Sequence, residues 1–204
     1  MTIHLATNAD SLGTWFLEAL SICAKSSNYL LDIVVDDEGH TADWLERGRV
    51  IAAVTGSERL VPGCRRTALG SLRYRATASP EFVERYLPKG VSGEALRTAP
   101  ALTFNQKDKL QDRWIAQTLG EEVICPTHFL PSTHAFVDAS VAGIGWGMNP
   151  DGLVRPHLQK GTLVELIPDK PLDIPLFWQI NRLAADRFAT LTDIVIAVAK
   201  QHLV

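Results

Sequence analysis

The 204-residue sequence contains no run of about 18 apolar residues, so no segment reads as a transmembrane helix and no membrane partner is expected. Its start lacks a basic stretch followed by an apolar one, so it reads as carrying no secretory signal. The three cysteines, Cys23, Cys64 and Cys125, are odd in number, widely spaced and form no C-x-x-C pair. That favours a reducing, cytoplasmic compartment over a disulfide scaffold. A net charge of −3 leaves no strongly basic face, the electrostatic footprint of nucleic-acid binding. Catalytic motifs are scarce too: there is no G-x-S-x-G elbow, Walker loop, G-x-G-x-x-G fingerprint or H-E-x-x-H pair. His128 and His134 have no cysteine or acid at ligand spacing, so no metal site is expected. Nothing points to a cofactor or a catalytic residue, and the expectation is a protein that is not an enzyme. Neither an internal repeat nor a low-complexity tract is present.

What the chain does have is a globular composition, 46% hydrophobic and 21% charged. Its length fits one domain, or two small lobes on one chain. Apolar runs at 3–7, 30–35 and 50–55 read as strands, with helices between them at about 9–23 and 41–47. The near-continuous apolar run at 50–55 is what a strand buried on both faces requires. This β-α-β-α-β opening argues for a parallel sheet covered by helices. A second series starts near 100, with strands expected at 100–104, 126–130, 143–148 and 162–167. Its helices fall at 108–119, 132–142 and 152–159, and a long amphipathic helix over 183–203 closes the chain. Extended stretches at 73–78 and 172–180 read as two crossovers between two α/β lobes, the architecture of a hinged binding protein.

Three clusters carry binding chemistry. Asn8-Ala9-Asp10-Ser11 lies where the first strand passes into the first helix. The first N–H groups of a helix lack intrahelical partners and carry partial positive charge. Such an end holds an anion such as a carboxylate, or Asn8 or Ser11 simply caps it. Pro131-Ser132-Thr133 makes the same junction in the second series, and two such ends can close on one anionic group. Asp36-Asp37-Glu38 follow the second strand, at the strand end where open α/β sheets bind ligands. The run either meets a cationic group or is a solvated acidic loop. Together the clusters suggest a zwitterionic or basic small ligand. Thr55, Phe104 and Asn105, at strand ends, would line its walls. Trp146, among Gly143, Gly145 and Gly147, either packs on the ligand's flexible portion or is a core residue.

Several of these segments resemble the effector-binding domain of LysR-type transcriptional regulators, closest to the lysine- and arginine-responsive ArgP/IciA/LysG branch. The match begins at Asn8-Ala9-Asp10-Ser11-Leu12 with Thr14-Trp15. It continues through Val35-Asp36-Asp37-Glu38, Leu45-Glu46-Arg47-Gly48, Ala52-Ala53-Val54-Thr55 and Pro62-Gly63-Cys64. Later segments are Leu69-Gly70, Ala78-Ser79-Pro80-Glu81-Phe82, Leu110-Gln111-Asp112 and Pro131-Ser132-Thr133-His134-Ala135-Phe136. Gly143-Ile144-Gly145-Trp146-Gly147 and Pro175-Leu176-Phe177-Trp178-Gln179 complete it. The resemblance implies a type 2 periplasmic-binding-protein-like fold of two Rossmann-like lobes joined by two crossover strands. Lobe I would be 1–75 plus 178–204 and lobe II 76–177. It also implies L-lysine or L-arginine in the inter-lobe cleft, control of an amino-acid exporter gene, and DNA binding only through an N-terminal winged helix-turn-helix that this chain does not include.

The rival reading is a free-standing solute-binding protein, or an enzyme on the same two-lobed fold. A signal peptide would mark the first and a nucleophile–base constellation or cofactor fingerprint the second. A homodimer or homotetramer is expected. The closing helix carries Phe188, Leu191, Ile194, Val195 and Val198 on one face, and Ile196, Ala197 and Leu203 widen that face, either to meet a partner or to cover its own lobe.

Overall fold

The computed structural model describes residues 1–36 and 40–204. In chain order its first elements are β1 (Thr2–Thr7), α1 (Ala9–Ser11), α2 (Leu17–Ser26), β2 (Leu30–Val35), α3 (Thr41–Glu46), β3 (Ala52–Thr55) and β4 (Cys64–Ala78). Then come α4 (Pro80–Tyr86), α5 (Gly93–Leu96), β5 (Ala101–Thr103), α6 (Leu110–Leu119), β6 (Thr127–Phe129) and α7 (Thr133–Val141). The last are β7 (Gly147–Pro150), α8 (Asp151–Lys160), β8 (Val164–Glu165), β9 (Leu172–Asn181), α9 (Arg182–Ala185) and α10 (Ala189–His202). They form two units, Met1–Leu72 with Asp173–Val204, and Arg73–Leu172. The chain passes from one to the other within β4 and at the start of β9.

In the first unit β1 is flanked by two parallel neighbours. Thr2 to Thr7 run beside Leu30 to Val35 of β2, and Leu5 and Ala6 face Ala52 and Ala53 of β3. β9 closes this group antiparallel to β3, from Ala52 opposite Ile180 to Thr55 opposite Phe177. All four residues of β3 are buried, Thr55 included, as its near-continuous apolar sequence leads one to expect. One face of the sheet is covered by α3, whose Ala42 and Leu45 pack with Ala6, Val50, Ala53, Val61 and Cys64. Elsewhere in the unit the Phe16 ring lies 6.2 Å from Trp178 and 5.4 Å from Trp15, and α10 packs against α2. A π-turn, Leu12–Phe16, joins α1 to α2. Its i→i+5 bonding adds a residue to the turn, and the consecutive Trp15 and Phe16 are both buried.

In the second unit the far half of β4 lies between β7 and β8, antiparallel to both, with Thr77 opposite Gly147 on one side and Glu165 on the other. β5 and β6 form a separate parallel pair. One core cluster joins Leu102, Phe136 and Ala139, and another joins Val137, Val154 and Leu163. Gly147 is there for space: a Cβ would stand 2.3 Å from Phe136 Cε1.

Four elements differ from the sequence expectation. The extended stretch expected at 73–78 is the far end of one 15-residue strand, β4, that begins at Cys64. The strand expected at 143–148 starts only at Gly147, because Gly143 turns left-handed at φ 74° and the Ile144 N–H closes back on the Ala139 carbonyl at 3.0 Å. What precedes β7 is a single parallel bridge from Trp146 to Ala101. The strand expected at 162–167 shrinks to the two residues of β8. The closing helix is two helices, α9 and α10: Asn181 Oδ1 caps the Leu183 N–H at 2.9 Å, and Phe188 leaves helical geometry at φ −111°, ψ 29°. Leu183 is consequently 97% exposed and lies on no packed face.

Candidate functional site

The parallel strands of the first unit deliver polar residues to their carboxyl ends. The Asp36 N–H donates to the Thr7 carbonyl at 3.1 Å, which sets Asp36 beside Asn8 where β2 and β1 end. Thr55 ends β3. Asn8 keeps extended backbone, φ −84° and ψ 159°, and its Oδ1 accepts the Ser11 N–H at 3.2 Å. Its carbonyl accepts the Leu12 N–H at 3.1 Å, the first bond of the helix. Asn8 therefore caps, and Ser11 does not. Ser11 is wholly buried, and its Oγ has no hydrogen-bond partner among the described residues. The Trp15 indole N–H, four residues along the same helix, is likewise buried without one. Ala9 and Asp10 are half-buried, and the Asp10 carbonyl accepts from Thr14 Oγ1 at 2.6 Å. Thr55 Oγ1 accepts the Ser57 N–H at 3.0 Å and shapes the turn after β3. Asp36 Oδ2 accepts the Trp44 indole N–H at 3.0 Å. Asp37 and Glu38 lie outside the described residues.

The second unit assembles its candidates at the carboxyl ends of β5 and β6. The Phe104 N–H donates to Asp108 Oδ2 at 3.0 Å, and Asn105 Oδ1 accepts the N–H groups of Lys107 and Asp108 at 2.7 and 3.2 Å. The Leu130 N–H donates to the Thr103 carbonyl at 3.0 Å and holds the chain beside β5 just before Ser132. Ser132 caps α7, its Oγ accepting the Ala135 N–H at 3.4 Å. Ser132 is exposed and Thr133 is buried. Trp146 is wholly buried 5.5 Å from the Trp114 ring, and its backbone exchanges bonds with Pro100 and Leu102. Its indole N–H has no hydrogen-bond partner among the described residues.

Two polar groupings of this unit escaped the sequence reading. Asn149 Nδ2 donates to Thr77 Oγ1 at 3.0 Å and to Ser140 Oγ at 3.1 Å, while its Oδ1 has no partner among the described residues. An asparagine inside the apolar run 146–150 was the available signal, but its partners come from distant segments. Arg75 donates to Asp151 and, at 2.7 Å, to Glu165, and Arg155 donates to Asp151 as well. The Asp151 hydrogen bond raises the Arg75 guanidinium above its ordinary value. Burial pushes the Asp151 carboxyl up, but the bonds from Arg75 and Arg155 outweigh it and hold Asp151 below the ordinary carboxylate range. Among the described residues no group of His, Cys, Asp and Glu could hold a metal ion, and no helix is long and apolar enough to cross a membrane.

Residues 2–199 match the family described as LysR substrate binding domain. The transcriptional regulator ArgP of Pseudomonas fluorescens is 42% identical over 202 residues, 99% of this chain and 67% of that protein. This chain thus spans about two thirds of the length of the curated relatives it matches. The solved C-terminal domains of a LysR family protein from Agrobacterium tumefaciens superpose with a TM-score of 0.97 at 58% identity, over 100% of this chain and 98% of that one. Full-length LysG from Corynebacterium glutamicum, solved with bound effector Arg, gives 0.89 at 34% identity, over 100% of this chain and 69% of that one. These relatives are regulators by name and not enzymes. The fold is accordingly the type 2 periplasmic-binding-protein-like fold of LysR regulatory domains. The chain belongs to the LysR substrate-binding family, as the effector-binding domain of a regulator of the ArgP/LysG branch.

Proposed function

We propose that this domain senses a basic amino acid, L-lysine or L-arginine, and that its occupancy controls transcription, through the DNA-binding domain of the full-length regulator, of an amino-acid exporter gene. The observation that carries the reading is the buried Ser11 hydroxyl, unpartnered among the described residues at the start of a helix that Asn8 already caps. A buried polar group left unpaired costs about 1–3 kcal/mol, which a carboxylate bonded to it would recover. Asn8, Ala9, Asp10 and Ser11 then hold the ligand carboxylate from lobe I, taken as 1–75 plus 178–204. Ser132 and Thr133 offer lobe II, 76–177, a helix end of the same kind, and Thr55, Phe104 and Asn105 stand at strand ends as candidate ligand contacts. Asp36, with Asp37 and Glu38, meets the cationic end. The arginine bound by LysG of C. glutamicum supports the ligand class. The domain works in the cytoplasm as an isologous dimer, and α10, with Ile194 and Ile196 half-buried and Ala197 exposed, supports the pairing.

A thermal-shift panel of the twenty amino acids tests the ligand. A hundredfold excess over Kd stabilises by about 2.7 kcal/mol, so L-lysine or L-arginine should give the largest rise in Tm. Glutamate or leucine giving the largest rise would overturn the assignment.

A further inference from the structure

We infer that Trp44 is a positioning residue that aims the Asp36 carboxylate at the cationic end of the effector; the inference rests on the basic amino-acid reading above. Asp36 is the first residue beyond β2, and its backbone is tied to the Thr7 carbonyl at 3.1 Å. Its side chain retains two torsions, and Trp44 restrains them: the indole N–H donates to Oδ2 at 3.0 Å. The donor is itself anchored, because Trp44 sits on α3 and packs on the cluster of Ala6, Ala42, Leu45 and Ala53 beneath the strands.

The choice of residue carries the argument. An indole N–H donates and cannot accept, so it fixes a carboxylate oxygen without offering it an alternative geometry. Bonds to an ionised acceptor are the strong ones. The other tryptophans are used differently. Trp114 donates to the Lys170 carbonyl and Trp178 to Thr192 Oγ1, both inside their units, and Trp15 and Trp146 have no partner among the described residues. Among the described residues only Trp44 donates its indole N–H to a carboxylate, and it does so at the strand ends where Asn8 and Ser11 lie. Phenylalanine would fill the same place on the core cluster but would remove this bond to Asp36 Oδ2.

Calorimetry of the 204-residue chain with L-arginine and with L-lysine tests this. Trp44→Phe should bind the better ligand about tenfold more weakly. Asp36→Asn should also weaken binding, and the double variant should be no weaker than Asp36→Asn alone, since Trp44 acts through that carboxylate. Unchanged affinity in Trp44→Phe, or losses that add in the double variant, would overturn the inference. Should Trp44→Phe fail to fold, the indole N–H resonance of Trp44 in the wild-type chain decides. Movement on saturation with the ligand and in Asp36→Asn supports the role, and a resonance indifferent to ligand overturns it. Failure of the wild-type chain to bind either amino acid would sink the basic-ligand reading and Trp44's role together, whereas wild-type binding that Trp44→Phe leaves intact sinks only the role of Trp44.

Discussion

Asn8 caps its helix at the end of a six-residue strand with a parallel neighbour on each side, and it is 4% exposed. Ser132 caps its helix soon after β6, a three-residue strand whose residues are all exposed. The first cap bond is 3.2 Å and the second 3.4 Å. The same local chemistry is therefore held by a sheet in one unit and mainly by its own loop in the other. The units are also consolidated differently. The first has long parallel pairings and exposed ion pairs such as Arg65 with Asp186, whose side chains are 57% and 87% exposed. The second has short strands and a largely buried charge network, with Arg75 and Asp151 side chains 21% and 11% exposed. Where pairing is short, side chains take over the work of fixing strands and helix ends.

That contrast is broken most easily at Arg75. Arg75→Ala leaves Asp151 and Glu165 partly buried without their shared donor and should cost about 3 kcal/mol of unfolding free energy in urea. The same bonds set an acid limb. Asp151 is held below its ordinary value, so its contribution is present above the unfolded pKa, about 3.9. It is lost as pH falls through the lower folded pKa. In Arg75→Ala that loss, spread over roughly pH 5 to 2, should shrink. A variant as stable as wild type would show that the network is ornamental and that apolar packing alone holds the second unit.

Gly147→Ala comes next. A Cβ 2.3 Å from the Phe136 ring should cost about 2 kcal/mol, and Phe136→Leu should relieve part of it. The caps give the direct comparison. Asn8→Ala should cost about 1–2 kcal/mol and Ser132→Ala about 0.5 kcal/mol by the same measurement. Equal losses would mean that the sheet around Asn8 adds nothing to its cap. Smallest of all, Arg65→Ala should change stability by less than about 0.5 kcal/mol, because an ion pair that exposed is screened by water.

Signals that are local in sequence were legible. Asn8 and Ser132 mark helix starts by side-chain chemistry, and each accepts a backbone N–H where expected. The buried run of β3 was readable from composition alone. Elements whose form depends on distant residues were not. Periodicity carries smoothly from 183 to 203, because the break at 186–188 involves neither proline nor glycine. The π-turn leaves only the adjacent pair Trp15-Phe16 as a trace. Within the site, the strand-end positions of Asp36, Thr55 and Asn105 followed from the alternation of elements. That Ser11 is left unpartnered among the described residues, and that Trp44 donates to Asp36, depends on burial and on side-chain direction, which spacing does not encode.

The unequal burial of the five tryptophans makes the domain an optical instrument. Trp15, Trp114, Trp146 and Trp178 are shielded from water and should emit at short wavelength whatever happens at the strand ends. Trp44, half-buried, should supply the long-wavelength edge of the fluorescence. Excitation at the red edge of the absorption band therefore selects the one indole that touches the acidic strand end, and effector titrations can be followed without a label against a nearly constant internal background.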